Sequence, residues 1–327
     1  MEWVNAKLAD GRDMWLPDIA KMVRNRLTNT GALKSSDHSA KALGESILRQ
    51  LSEKQSVSGR LRLSSSGGCI KAMAYNYHHY EENGNPIDAA SKIAFVIGDV
   101  TEAFLVSTIV EAFEDVRRDE RPQISCVGEH QEEVMVNVPL GDGRVARISG
   151  HPDGSMLVPV GSTEKRTWSQ AILEVKSMSD YGFKKFRSDG LSLNDSYYYQ
   201  VQAYMESKGY PLAYVIAYGK AATAKEAVVG DDGQWWPAFP IVGQWIARDK
   251  ETISDIKRKF ASVINSSSPD EFERPHGADK KGRLSFPCDY CRYWKSCFPN
   301  GEEFAQESRW LQKTNKIKIG IRGNDND

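Results

Sequence analysis

GHPDG at residues 150–154 and QAILEVKS at residues 170–177 form two halves of one pattern. Ala171, Ile172, Leu173 and Val175 make an apolar run that reads as a buried strand, and the run ends on Glu174 and Lys176. Alternate residues of a strand share a face, so Glu174 and Lys176 point one way while Val175 packs the other. Asp153 lies 21 residues before Glu174. The turn residues between them predict a neighbouring hairpin strand that sets the two carboxylates side by side.

Outward from this pair the periodicity sorts the chain into α, β-meander, α and β. Short alternating or apolar stretches from about Gln123 to Ser177 (QEEVMVNV, RVARISG, GSMLVPV, QAILEVKS) are separated by Gly-Asp-Gly and Gly-Ser-Thr turns and predict a sheet built of hairpins. Upstream, apolar residues at three- and four-residue intervals in LPDIAKMVRNRL and AKALGESILRQLSEKQ make residues 1–63 a helical lead-in. The serine-rich SSSGG at 64–68 offers capping hydroxyls to a helix starting near Cys69, and a long helix runs from about Ile87 to Phe113 with Gly98 in its middle. Downstream, DYGFKKFRS and SYYYQVQAYMESKG are helical, LAYVIAYGK is a buried strand, and RDKETISDIKRKFASVI is a charged amphipathic helix. The domain reading is a core over 64–266, a cysteine-rich segment over 267–300 and a polar tail over 301–327.

Composition bounds the function classes. The chain has 327 residues, 40% hydrophobic and 27% charged, with net charge −1. That describes a globular protein and excludes one that binds polyanions through a globally basic surface, although a local groove can still collect phosphates. No apolar run is read as approaching the roughly 20 residues that span a bilayer, and the first residues lack the apolar core of a signal peptide, so the expected location is cytoplasmic, with no membrane partner.

The acids and lysine define a chemistry. Mg²⁺ and Mn²⁺ prefer oxygen ligands, so Asp153 and Glu174 make a partial ligand set that leaves positions for water and a phosphate. A metal held there polarises a scissile phosphate, and Lys176 can orient the attacking water or offset charge developing on phosphate oxygens. Cys288, Cys291 and Cys297 are separated by two and five residues, a gathering of soft donors that indicates a metal site, whereas Cys126, within a predicted strand, reads as buried packing.

As a set these motifs resemble the PD-(D/E)xK nucleases, in the RecB-like branch that includes AddB-type subunits and CRISPR-associated four-cysteine nucleases. The resemblance runs from about Ser64 to Pro299. It implies an α/β, restriction-endonuclease-like core with a central mixed sheet flanked by helices, plus an N-terminal helical element and a C-terminal iron–sulfur segment. It places Glu102, in Gly98-Asp99-Val100-Thr101-Glu102, as a further metal ligand beside Asp153 and Glu174. It also makes Gln200 and Tyr204 the Gln-hydrophobic-x-x-Tyr face that positions substrate. One cysteine before the core and three after it imply Cys69, Cys288, Cys291 and Cys297 around a [4Fe–4S] cluster, while thiol spacing alone equally suits zinc. The implied activity is Mg²⁺- or Mn²⁺-dependent exonucleolytic hydrolysis of single-stranded or end-bearing DNA in recombination, repair or replication, with a helicase or other nucleic-acid-processing partner. The rival readings are a non-catalytic DNA-binding or scaffold subunit of a helicase–nuclease or CRISPR adaptation complex, and a zinc-stabilised RNA nuclease. Glu102 stands where many relatives carry His, which opens the metal and strand preference.

Overall fold

The computed structural model describes residues 3–7, 13–29, 41, 44–45, 48, 59–84, 89–125, 132–161, 166–192, 195–220, 227–229, 235–237, 240–274 and 287–299. The chain divides into two units. One comprises Met1–Val57, Leu61–Gly67 and Asp88–Ser262; the other comprises Ser58–Arg60, Gly68–Ile87 and Val263–Asp327.

In chain order the helices and strands begin with β1 (Trp3–Lys7), β2 (Asp13–Pro17) and α1 (Ile19–Asn29). Next come α2 (Ile70–Tyr77), α3 (Ala89–Glu114) and a run of strands: β3 (Gln123–Ser125), β4 (Val134–Pro139), β5 (Val145–Gly150), β6 (Gly154–Gly161) and β7 (Arg166–Met178). After these stand α4 (Asp180–Asp189), α5 (Ser196–Lys208), β8 (Leu212–Gly219), β9 (Ala227–Val229), β10 (Trp235–Pro237), β11 (Ile241–Ala247), α6 (Lys250–Asn265) and the single turn α7 (Trp294–Cys297).

Among the described residues the first unit is built on a five-stranded sheet in the order β11-β8-β7-β6-β3. All neighbours are antiparallel except β7 and β8, which run parallel because the chain crosses over through α4 and α5 between them. This is the expected α/β architecture of a central mixed sheet flanked by helices. One sheet face buries Ala171, Leu173, Val175, Met156 and Val158 against Leu105, Val106, Ile109 and Phe113 of α3 and Ile19 and Val23 of α1. A separate hairpin, β4–β5, turns through Gly141 and Gly143, whose φ of 84° and 86° favour glycine.

Three details depart from the sequence reading. Residues 3–7 and 13–17 form an antiparallel hairpin within the stretch read as helical, and Ile19–Asn29 keeps the helical pattern. The hairpin and the helix after it are held from outside themselves: Trp245 Nε1 donates to the Pro17 carbonyl at 3.0 Å, and the Ala20 N–H of α1 donates to the Tyr214 hydroxyl at 2.8 Å. Helix periodicity in one segment cannot register such distant partners. β11 was likewise not foreseen, since Gly243 and Gln244 interrupt its apolar pattern. Gly243 is there because a Cβ would stand 1.9 Å from the Tyr214 hydroxyl. Finally, Lys92–Glu114 within α3 is long and apolar enough, by length and composition, to cross a membrane. The sheet core buries Leu105, Val106, Ile109 and Phe113 in the C-terminal half of the helix, whereas Ile93, Phe95 and Ile97 in its N-terminal half are exposed. The helical expectation for 40–55 lies outside the described residues apart from helical positions 41, 44, 45 and 48, as do Cys126, residues 275–286 and the tail from 301.

Candidate active site

β7 is longer than either neighbour. β6 pairs with it over Arg166–Leu173 and β8 over Ala171–Met178, so from Glu174 onward the edge toward β6 has no strand partner. Asp153, the residue before β6, turns its carboxylate onto that edge, and Oδ2 accepts the Val175 N–H at 2.7 Å. Val175 packs into the core while Glu174, 1% exposed, and Lys176 project from the opposite face. Lys176 Nζ pairs with Glu174 Oε1 and sits 5.0 Å over the Tyr197 ring.

α5 covers that face. Its start is capped by Asp195, which accepts the Tyr197 N–H, and it ends at Gly209 in the left-handed conformation. Gln200 and Tyr204, one turn apart, are both buried. Gln200 Nε2 donates to Glu174 Oε1 at 2.9 Å and to the Tyr204 hydroxyl at 3.2 Å. Tyr204 in turn needs Gly150, where a Cβ would lie 2.9 Å from its ring and 2.8 Å from Leu63. Gln202, on the other side of α5, bonds the Ala247 carbonyl and the Asp249 N–H and has no part in the site.

Glu102 reaches the same place from α3. Burial, then the charges of Asp153 and Glu174, push its carboxyl up to about 9. Burial and Asp153 push Glu174 up to about 8. Burial also raises Asp153, opposed by the Lys176 charge, the Val175 N–H and a hydrogen bond from Glu102. For Lys176 burial disfavours the charge, but Glu174 and Asp153 outweigh it, so the ammonium is held above its ordinary range. Burial and the Glu174 charge raise the Tyr204 phenol as well. The structure thus brings together Glu102, Asp153, Glu174, Lys176, Gln200 and Tyr204.

Three carboxylates against one ammonium leave two negative charges when all are ionised, and an all-oxygen donor set of that charge suits a hard divalent cation. Glu174 Oε2 is buried and has no hydrogen-bond partner, an arrangement that is costly unless a cation or donor meets it. Among the described residues, no three His, Cys, Asp or Glu side chains converge closely enough to form a ligand set by themselves. Lys176 and Gln200 engage Glu174 Oε1, and Val175 engages Asp153 Oδ2, so a cation would draw on the remaining oxygens.

The second unit holds the cysteines. Cys69 stands at the start of α2, Cys288 opens a short 3₁₀ turn, and Cys291 and Cys297 flank α7; all four are half-buried free thiols. Cys288, Cys291 and Cys297 pack around buried Trp294 and Phe298. Burial first, then the charges of Cys291, Cys69 and Cys297, push the Cys288 thiol up to about 11. Among the described residues no three of these thiols converge closely enough to form a metal-ligand group as they stand. Asn83 fastens the segment by bonding both Ser296 Oγ, at 2.7 Å, and the Ser296 N–H, at 3.3 Å. Tyr75 and Trp294 are buried here, with Tyr75 stacked on Tyr293 at 5.6 Å.

Sequence reasoning passed over Ser177, whose Oγ is buried without a partner one residue beyond Lys176. A serine at a strand end carries no signal of its own.

No protein-family model matches the chain, and no curated protein matches it. Solved structures do. The chain is similar to the crystal structure of SSO0001, at 12% identity and a TM-score of 0.43 over 81% of this chain and 96% of that one. It is similar to an alkaline exonuclease, LHK-Exo from Laribacter hongkongensis, at 16% identity and a TM-score of 0.36 over 68% and 90% of the two chains. The same enzyme in complex with dAMP aligns at 16% identity and 0.36 over 64% and 87%.

Proposed function

We propose that this chain is a Mg²⁺- or Mn²⁺-dependent deoxyribonuclease acting as an exonuclease on single-stranded or end-bearing DNA in the cytoplasm. The observation that carries this reading is the buried, unpartnered Glu174 Oε2 in a net-acidic cluster beside Lys176. Asp153, Glu174 and Glu102 would hold the cation, which when bound polarises the scissile phosphate and acidifies water.

The chain's own residues supply the remainder. Gln200 fixes the Glu174 carboxylate, and Tyr204 backs Gln200. Lys176 keeps its positive charge across the ordinary pH range and stands ready to offset charge on a phosphate oxygen. A scaffold subunit has no need of a buried acid-acid-lysine set, which favours turnover over the non-catalytic rival. Cys69, Cys288, Cys291 and Cys297 would hold a [4Fe–4S] cluster, with zinc as the alternative for the same donors. A helicase or other DNA-processing partner completes the proposed setting in recombination, repair or replication.

The test is digestion of end-labelled single-stranded DNA, double-stranded DNA and RNA with Mg²⁺, Mn²⁺ or chelator. Metal-dependent shortening of DNA from its ends is expected. Cleavage of RNA alone, or of nothing, would overturn the assignment.

A further inference from the structure

A cavity of about 140 Å³ opens at the end of β7, between that strand, α4 and the start of α5. It adjoins the acidic site. Ser177 follows Lys176 directly and lines the cavity, and Tyr197 lines it while its ring carries Lys176. The walls combine buried Phe186 and Leu191 with polar groups from Asp195 and the exposed Lys185.

Apolar walls with a few convergent polar groups are the ordinary makeup of a small-molecule site. The size decides what fits. A cavity of roughly 150 Å³ takes up one benzene ring, so this space suits a single planar ring system and is too small for a whole nucleotide. We infer that it receives one base of the substrate strand, placed beside the phosphate at Glu174 and Lys176 and against the Tyr197 ring that carries Lys176. The inference rests on the nuclease reading for its substrate class. It adds that the enzyme grips a base as well as the backbone, and that this grip lies on the α4 side of the site.

Gly182 supplies the probe. It lies in the first turn of α4 and lines the cavity, and a Cβ there meets nothing nearer than Ser179 Oγ at 3.4 Å. A Cβ at Gly182 is therefore accommodated without displacing protein atoms, and a longer side chain is built out from the cavity wall. Gly182→Leu fills it; Gly182→Ala barely alters it and controls for the helix.

The experiment compares parent, Gly182→Ala and Gly182→Leu on an end-labelled single-stranded oligonucleotide and on the same strand carrying a single abasic tetrahydrofuran residue at one end or the other. Binding is read by fluorescence anisotropy and cutting by KM and kcat in Mg²⁺ or Mn²⁺. The parent and Gly182→Ala are expected to prefer the base-bearing strand by about tenfold or more in Kd and KM, the size of one lost stacked base. Gly182→Leu should lose that preference while treating the abasic strand as the parent does. Equal treatment of the two strands by the parent, a preference surviving in Gly182→Leu, or an equal loss on both strands would each overturn the base site. A parent that prefers the base-bearing strand in binding but cuts neither would sink the nuclease reading and leave the cavity assignment standing. A parent that neither binds nor cuts overturns both.

Discussion

Asp153 takes the place of a strand at the edge of β7: its Oδ2 accepts the Val175 N–H at 2.7 Å just past the last residue that β6 pairs. The carboxylate therefore serves both the strand edge, through Val175, and the acidic cluster, through its hydrogen bond with Glu102. Substitution separates the two. Asp153→Asn keeps an acceptor for Val175 and should preserve the melting temperature while reducing cleavage by on the order of 10²–10³. Asp153→Ala strands a buried N–H and should lose about 1–3 kcal/mol of stability in addition. Equal stability of the two variants would contradict the edge-capping role.

Gly150→Ala tests the support beneath Tyr204. The new methyl would crowd both Leu63 and the Tyr204 ring, at 2.8 and 2.9 Å. We expect a loss of about 1–3 kcal/mol in denaturant unfolding, with reduced kcat as Tyr204 and Gln200 shift. Parent-like stability would show that this packing is looser than the structure has it.

Acid stability depends on Asp249 and Glu206. Asp249 accepts the Glu251 N–H at 2.9 Å and the Thr252 hydroxyl at 2.7 Å at the start of α6. Glu206 pairs with Arg248 and Lys257. Although burial opposes it, hydrogen bonds to Thr252 and Glu251 hold Asp249 below its ordinary range, and those to Lys257 and Arg248 do the same for Glu206. A depressed folded-state pKa means stability fully present above the ordinary carboxylate range and lost as pH falls through the folded value. The melting temperature should therefore drop as pH falls from about 5 toward 2. Asp249→Ala should cost about 1 kcal/mol at neutral pH and flatten that decline. An unchanged slope in Asp249→Ala would contradict the assignment.

The cysteines give a spectroscopic prediction. Anaerobically purified protein should be brown, with about four irons and matching acid-labile sulfide, and Cys69→Ala, Cys288→Ala, Cys291→Ala and Cys297→Ala should each be colourless and aggregation-prone. Zinc in place of iron would refute the cluster type and keep the ligand set. A stable, metal-replete Cys69→Ala protein would remove Cys69 from it.

Much of the site was legible because strand periodicity alone puts Glu174 and Lys176 on one face and helix periodicity alone puts Gln200 and Tyr204 on another. The β1–β2 hairpin and β11 were not, since what stabilises them is remote: the Trp245 indole that donates to Pro17, and the Tyr214 ring that requires Gly243. The cavity beyond Lys176 was equally hidden, because Ser177, Phe186 and Tyr197 come together only when α4 and α5 pack over the end of β7. Periodicity reports faces, and the cavity is made where three faces meet.

The central claim is that Glu174 holds a catalytic cation through an oxygen the protein leaves unpartnered. Glu174→Gln preserves shape, and its side-chain carbonyl can still accept from Gln200, but it removes the charge. Single-turnover cleavage of end-labelled single-stranded DNA in Mg²⁺, by parent and Glu174→Gln at matched folding and DNA binding, tests this directly. The account predicts loss of at least about 10³ in rate with binding retained. A Glu174→Gln protein that cuts at the parent rate would contradict it.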